Sequence, residues 1–102
     1  MKIKSGVIIE GLKPEILIGV IIANDTFSKL GHELVITAGL DGVHMKGSKH
    51  YIGQAVDIRS RDILPERLLT VFAALKMNLG ANFDVVKEDT HIHVEFDPKV
   101  GK

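Results

Sequence analysis

The sequence has no cysteine and no excess of charge of either sign. Without cysteine the chain cannot form a disulfide, a thiolate nucleophile or a cysteine-based zinc site, so any metal must bind to histidines and carboxylates. Lysine plus arginine and aspartate plus glutamate each number 13, which gives no electrostatic support for a nucleic-acid partner. The composition is otherwise typical of a globular protein, and we expect one domain over residues 1–102.

A long apolar run is also missing. The most apolar stretch, residues 16–23, is far shorter than the ~20 residues of a membrane-spanning helix, and it indicates a buried helix instead. Glu10, Lys13 and Glu15 interrupt the approach to this stretch, which is not typical of a secretion signal. We therefore expect neither a membrane span nor a signal peptide.

Apolar periodicity predicts two helices, each with a proline near its start. The first covers Lys13–Leu30 with Pro14 in its first turn, and the second covers Leu64–Leu79 with Pro65 in the same position. The middle of the first helix is apolar on nearly every side, so we expect it to be well buried.

Four strands are predicted from short runs rich in β-branched or alternating apolar residues. They are Leu34–Thr37, Gln54–Ile58, Phe83–Lys87 and His91–Phe96. A glycine-rich loop joins the first two, and a polar turn joins the last two into a hairpin. The elements together predict an α+β fold, a small antiparallel sheet with both helices packed on one side. The polar tail at 97–102 is expected to fray.

Three histidines and one aspartate fall into two short segments that could form one site. The pair His91 and His93 lies on a predicted strand, where alternate side chains share a face, so both point away from the core while Ile92 points into it. Asp57 lies in an apolar strand shortly after His50. A buried, unpaired carboxylate costs several kcal/mol, so Asp57 needs a metal ion, an arginine or backbone N–H groups as its partner.

The motif Ser-x-His-x-x-Gly-x-Ala-x-Asp, followed later by His-x-His, resembles that of the D-alanyl-D-alanine carboxypeptidase family of zinc peptidases. This family includes vancomycin-resistance dipeptidases and phage endolysins, and its wider fold group includes hedgehog signalling domains. The resemblance covers roughly residues 33–97. It implies a zinc-dependent hydrolase of peptide bonds in peptidoglycan stem peptides. The motif residues are Ser48, His50, Gly53, Ala55 and Asp57, then His91 and His93.

The resemblance also implies roles for individual residues. His50, Asp57 and His93 would bind Zn2+ and leave a fourth position for water, as in catalytic zinc sites. A base must take a proton from that water. Some branches of the family use the first histidine of the pair, here His91, and we prefer this arrangement. Other branches use a preceding glutamate, here Glu88, and in that alternative His91 binds the metal.

The chain departs from the family in the loop after the first predicted strand. Relatives commonly carry an arginine there, whereas residues 37–42 contain none. Lys46, Arg59 and His44 are candidates to supply positive charge to an oxyanion or to a stem-peptide carboxylate. Ser48 of the motif is a further substrate-binding candidate.

Each of these residues also has a purely structural interpretation. Asp57 could form an ion pair with Arg59 or Arg61, and the two histidines could lie on an exposed hairpin face. Glu95 shares their strand face and either orients an imidazole or is solvated. His32 follows the first helix, where a cation is favourable. For the whole chain, the alternative to a peptidase is a non-enzymatic module that keeps the zinc site.

The resemblance implies where such an enzyme acts. Its partner would be the peptidoglycan stem peptide of a bacterial cell wall, and we expect it to act as a monomer. Small size and the lack of a signal fit a phage or prophage enzyme released at lysis.

Overall fold

The computed structural model describes residues 1–98. The tail expected to fray is 97–102, and residues 99–102 of it lie outside the described residues. Residues 1–98 form two helices, five strands and a short 3-10 helix at Lys49–Ile52. The helices are α1 (Pro14–Lys29) and α2 (Pro65–Leu79); the strands are β1 (Lys2–Ile3), β2 (Val35–Ala38), β3 (Ala55–Arg59), β4 (Phe83–Lys87) and β5 (His91–Phe96).

The five strands form one sheet in the order β1-β2-β3-β5-β4. Strand β1 runs parallel to β2, and every other pairing is antiparallel. Both helices pack on one face of the sheet, where the inward side chains of β3 and β5 join those of the helices in a single apolar core. The predicted α+β class is confirmed. The other face of the sheet is therefore free to carry polar side chains.

Helix α1 has one buried face and one exposed face. Ile16, Ala23 and Phe27 are buried against the sheet, whereas Ile18 and Ile21 are 56% and 68% exposed. The expectation that the middle of this helix is well buried therefore holds for one face only. In a fold of two layers a helix contacts the sheet along only one stripe, and nothing in the described chain covers the opposite side.

Strand β1 and the 3-10 helix were not predicted from the sequence. The strand has two residues, too few to show alternation. It is nevertheless bonded to β2, since the amide of Lys2 donates to the Leu34 carbonyl at 2.8 Å and that of Lys4 to the Ile36 carbonyl at 2.9 Å. This pairing brings the N-terminal segment alongside the strand that leads into the glycine-rich loop.

A β-bulge interrupts the pairing of β2 with β3. Ile36 lies opposite Ile58 and Ala38 lies opposite Asp57, so β2 contains one extra residue, Thr37, between these pairs. A bulge twists a strand and changes the direction of the chain that follows. Here it lies directly beside Asp57, at the point where the loop leaves the sheet.

Within residues 1–98, neither helix combines the length and the apolar character needed to cross a membrane.

Gly53 holds the N-terminal segment against the end of the 3-10 helix. Its φ is +72°, and a Cβ at this position would lie 2.3 Å from the carbonyl oxygen of Gly11. Its own carbonyl accepts a hydrogen bond from the amide of Lys13 at 2.9 Å. Only glycine satisfies both the backbone angle and this close approach.

Replacing Gly53 with alanine should destabilise the protein more than the same change at Gly31. Gly31 also has a positive φ, +81°, but a Cβ there would contact nothing within 4 Å. Gly31→Ala should therefore cost about 1 kcal/mol for the left-handed backbone alone, and Gly53→Ala about 3 kcal/mol because the steric clash is added. Urea denaturation gives both values, and equal losses would contradict this account of Gly53.

Candidate metal centre

Three side chains predicted as ligands meet on the face of the sheet opposite the helices. Asp57 lies in the middle of β3, and the antiparallel pairing places it directly opposite His93 on β5. His50 comes from the 3-10 helix, whose first turn is closed by Ser48, because the Ser48 hydroxyl accepts a hydrogen bond from the amide of His50 at 3.2 Å. His50 and Asp57 are buried, at 2% and 7% exposure.

The ligand atoms of these side chains form a nearly equilateral triangle. His50 Nε2 lies 3.2 Å from Asp57 Oδ1 and 3.2 Å from His93 Nδ1, and His93 Nδ1 lies 3.1 Å from Asp57 Oδ1. In a tetrahedral zinc site with bonds of about 2.0–2.1 Å, ligand atoms are about 3.3–3.4 Å apart. The spacing of the triangle is therefore close to that of three tetrahedral ligands.

The other nitrogen of each imidazole is held by a hydrogen-bond acceptor. His50 Nδ1 lies 2.8 Å from the carbonyl oxygen of Gly39, and His93 Nε2 lies 2.8 Å from Glu95 Oε1. A carbonyl or carboxylate oxygen can only accept, so these two nitrogens carry the protons and donate. The remaining nitrogens direct their lone pairs at each other and at Asp57, the arrangement in which outer partners orient metal-binding histidines.

The centre therefore contains three acceptors and no donor when both imidazoles are neutral. Acceptors at 3.1–3.2 Å repel one another unless a cation, either a metal ion or a proton, lies among them. Among the described residues, His50, Asp57 and His93 form a group whose ligand atoms are close enough to hold one metal ion. Two nitrogen ligands and one carboxylate oxygen form a donor set that suits zinc.

The pKa shifts of Asp57 and His93 reflect the close approach of these hydrogen-bond acceptors. Burial alone would raise the pKa of Asp57, but hydrogen bonds with His50 and His93 outweigh it and hold this pKa far below its ordinary value. The hydrogen bond to Asp57 raises the pKa of His93 against the opposing effect of burial, and the bond to Glu95 raises it further. Both shifts favour a positive charge among these side chains, which a proton or a metal ion can supply.

A second layer of contacts fixes the loop around His50. The ring of His44 stacks on that of His50 with centroids 3.9 Å apart and planes only 7° from parallel. Tyr51 fastens the same loop, since its hydroxyl accepts from the His44 amide at 2.6 Å and donates to the His44 carbonyl at 2.9 Å. The His44 ring therefore covers one side of the His50 imidazole, a candidate metal ligand.

Asp41 organises the start of this loop and was not predicted as a site residue. Its Oδ1 accepts hydrogen bonds from the amides of Gly39 at 2.8 Å and Ile8 at 2.9 Å. This fixes the amide of Gly39, the residue whose carbonyl holds His50. The sequence offers one indication of this role, because Asp41 directly precedes Gly42 and an aspartate followed by a glycine is typical of turns.

The open side of the centre faces a cleft of about 380 Å³. Besides the three ligands, the cleft is lined by most of the residues proposed from the sequence to act on substrate: His44, Lys46, Ser48, Glu88 and His91. His91 lies near the metal group, with Nε2 at 3.7 Å from Asp57 Oδ2. The geometry thus places His93 within the ligand triangle and His91 beside it.

Two other predicted residues lie outside this cleft. Arg59 lines a neighbouring pocket and forms an ion pair with Asp62 at 3.6 Å, whereas Asp57 is bonded to histidines. His32 lies on another part of the surface, with its ring edge-on to Phe27 at 6.5 Å. Its role as a favourable cation at the helix end stays a prediction.

No family profile matches the chain, and no curated protein matches it.

Zinc should raise the melting temperature of the protein through the three-residue centre. At a free concentration one hundred times its Kd, a ligand bound only by the folded state stabilises it by about 2.7 kcal/mol, which is roughly 10–20 °C for a domain of this size. Asp57→Ala should abolish this shift, and Asp25→Ala, which removes an exposed carboxylate on α1, should retain it. An unchanged shift in Asp57→Ala would rule out the centre.

Glu95→Gln should weaken zinc binding although Glu95 is not a ligand. A neutral amide oxygen is a poorer acceptor for His93 Nε2 than the carboxylate, and loss of such an outer partner lowers metal affinity by about tenfold. Glu33→Gln, a surface change outside the centre, serves as the control. Competition titrations with a chelating dye give both affinities, and equal values in the two variants would show that Glu95 does not support the ligand.

Proposed function

We propose that this chain is a zinc-dependent peptidase that hydrolyses peptide bonds in bacterial peptidoglycan stem peptides, as a D-Ala-D-Ala carboxypeptidase or an endolysin-type endopeptidase. The observation that supports this most is the His50, Asp57 and His93 triangle, with two outer partners fixing the imidazoles and one side open to a cleft. The resemblance of the two motifs to the carboxypeptidase family supports the substrate class.

The number of protein ligands in the group favours a catalytic metal site over a structural one. Structural zinc sites are closed by four protein ligands, whereas catalytic sites use three and keep one position open. Zinc held by these residues would polarise a scissile carbonyl and lower the pKa of water. All three side chains line the cleft, and the burial of His50 and Asp57 would help to hold the ion in place.

His91 is the preferred proton carrier. Its side chain shares the strand face with His93, lines the cleft and approaches the second carboxylate oxygen of Asp57. Imidazole is suited to take a proton from water and return it to a leaving amine near neutral pH. Glu88 also lines the cleft, from the end of the β4–β5 hairpin, and it remains the alternative base.

The rim of the cleft carries groups suited to a peptide. Lys46 adds a positive charge to the lining of the cleft, and the neighbouring side chain of Met45 is 85% exposed. Ser48 uses its hydroxyl oxygen to hold the His50 amide, so we propose that it acts mainly by positioning this ligand. His44 supports His50 in the same way through its stacked ring.

Purified murein incubated with the zinc-loaded protein should yield new peptide ends, detected by mass spectrometry. Asp57→Ala and His93→Ala should yield none, because each removes a ligand, and Asp25→Ala should cleave as the wild type does. A zinc-loaded wild-type protein that releases no new ends would reject the peptidase and leave the non-enzymatic zinc module as the better interpretation.

The choice of base can be tested separately from metal binding. His91→Ala should lower kcat by about 10²–10⁴-fold, the contribution of a positioned acid or base, while zinc affinity stays near that of the wild type. Glu88→Gln should retain most activity. The reverse pattern, with loss only in Glu88→Gln, would assign the base to Glu88.

A further inference from the structure

A second, smaller pocket of about 210 Å³ lies beside the metal centre. It shares two lining residues with the cleft, Asp57 and His91, and so begins where the metal group ends. Its other polar lining includes Lys4, Arg59, Arg61 and Thr90. Three basic side chains thus line a space that opens directly beside Asp57 of the candidate metal centre.

These cations come from separate parts of the chain and meet because of the sheet. Arg59 ends β3, opposite His91 on β5, and its side chain is 24% exposed. Arg61 follows the same strand, and Lys4 follows β1, which the parallel pairing with β2 brings to this edge. Arg59 has a long ion pair with the exposed carboxylate of Asp62, at 3.6 Å.

The local charges leave an excess of positive charge in this pocket. Asp57 is the only carboxylate among the described lining residues, and its Oδ1 is directed at His50 and His93. A cation bound by that triangle would compensate the remaining charge of Asp57. Like charges close together repel, and an anion placed among Lys4, Arg59 and Arg61 relieves that repulsion.

We infer that this cationic pocket binds a carboxylate of the peptide substrate, an inference that rests on the proposed peptidase function. Arginine is suited to a carboxylate because its planar guanidinium can donate two parallel hydrogen bonds. Lys4 adds charge and Thr90 offers a hydroxyl donor. The pocket would select substrates that carry an acidic group and fix the direction in which the peptide lies across the metal.

The spacing limits where on the substrate this carboxylate lies. Arg59 is two residues beyond Asp57 on the same strand, which separates their Cα atoms by about 6.6–6.8 Å. An extended peptide advances about 3.3–3.6 Å per residue. The recognised group therefore lies one or two residues from the scissile bond, as the terminal carboxylate of the peptide or as a side-chain carboxylate.

Three versions of one murein stem peptide test the inference and identify the source of the carboxylate. One keeps every carboxylate free, one carries an amide only at its C-terminus, and one carries amides only on its side-chain carboxylates. Binding to the zinc-loaded protein is measured by calorimetry and cleavage by mass spectrometry. Amidation of the recognised group should weaken binding by about tenfold, the value of one charge-assisted hydrogen bond.

Substitutions of the lining residues test whether the preference for a free carboxylate arises in this pocket. Lys4→Ala and Arg61→Ala change exposed side chains and should bind the free peptide about as weakly as the wild type binds the amidated one. Each should also discriminate less between the free and amidated peptides. Lys29→Ala, which removes an exposed positive charge on α1, should discriminate as the wild type does.

The two proposals fail in different ways. Discrimination in binding without any cleavage would keep the carboxylate pocket and reject the peptidase. Cleavage of the free and both amidated peptides at equal rates, with equal affinities, would reject the pocket and keep the peptidase. Failure of the wild type to prefer the free peptide over either amidated form also overturns the inference. The inference is also overturned if Arg61→Ala and Lys4→Ala, each tested as a single variant, both discriminate between the free and amidated peptides as fully as the wild type does.

Discussion

The antiparallel pairing of β3 with β5 is the constraint on which the rest of the site depends. It sets Asp57 opposite His93 and Arg59 opposite His91, so one pair lies in the metal group and the next forms the start of the cationic pocket. The alternate residues of both strands enter the apolar core. A shift of the register by one residue would move the core residues to the open face of the sheet. The free energy gained by burying the core therefore also fixes the register that brings the site residues together.

The third ligand depends on a different part of the chain. His50 comes from the short 3-10 helix between β2 and β3, and its position is set by hydrogen bonds around this connection rather than by strand pairing. The Thr37 bulge turns the chain beside Asp57, Asp41 fixes the Gly39 amide, and the Gly39 carbonyl holds His50. Together with the stacked ring of His44, these contacts give a residue outside the sheet the rigidity expected of a strand residue.

The sequence predicts the helices and strands in which the pattern of apolar and polar residues repeats along the chain. Both helices and the β4–β5 hairpin have the predicted bounds to within one residue at each end, because apolar periodicity and flanking prolines report on them directly. The triangle consists of the three residues that the motif predicts as ligands. Two of them, Asp57 and His93, meet because β3 and β5 pair in this register. Strand β1, the bulge and the role of Asp41 depend on contacts between distant segments, which no local pattern encodes. The exposed side of α1 was missed for the same reason.

The metal centre and the cationic pocket are electrostatically linked through Asp57. This carboxylate lines both, with Oδ1 in the ligand triangle and Oδ2 at 3.7 Å from His91. Without a cation in the triangle, the negative charge of Asp57 opposes entry of an anion into the pocket beside it. With a divalent ion bound, the net charge of the two sites becomes more positive, and the same pocket attracts a carboxylate more strongly. Peptide binding should therefore tighten when the metal binds, and by linkage the peptide should tighten the metal equally.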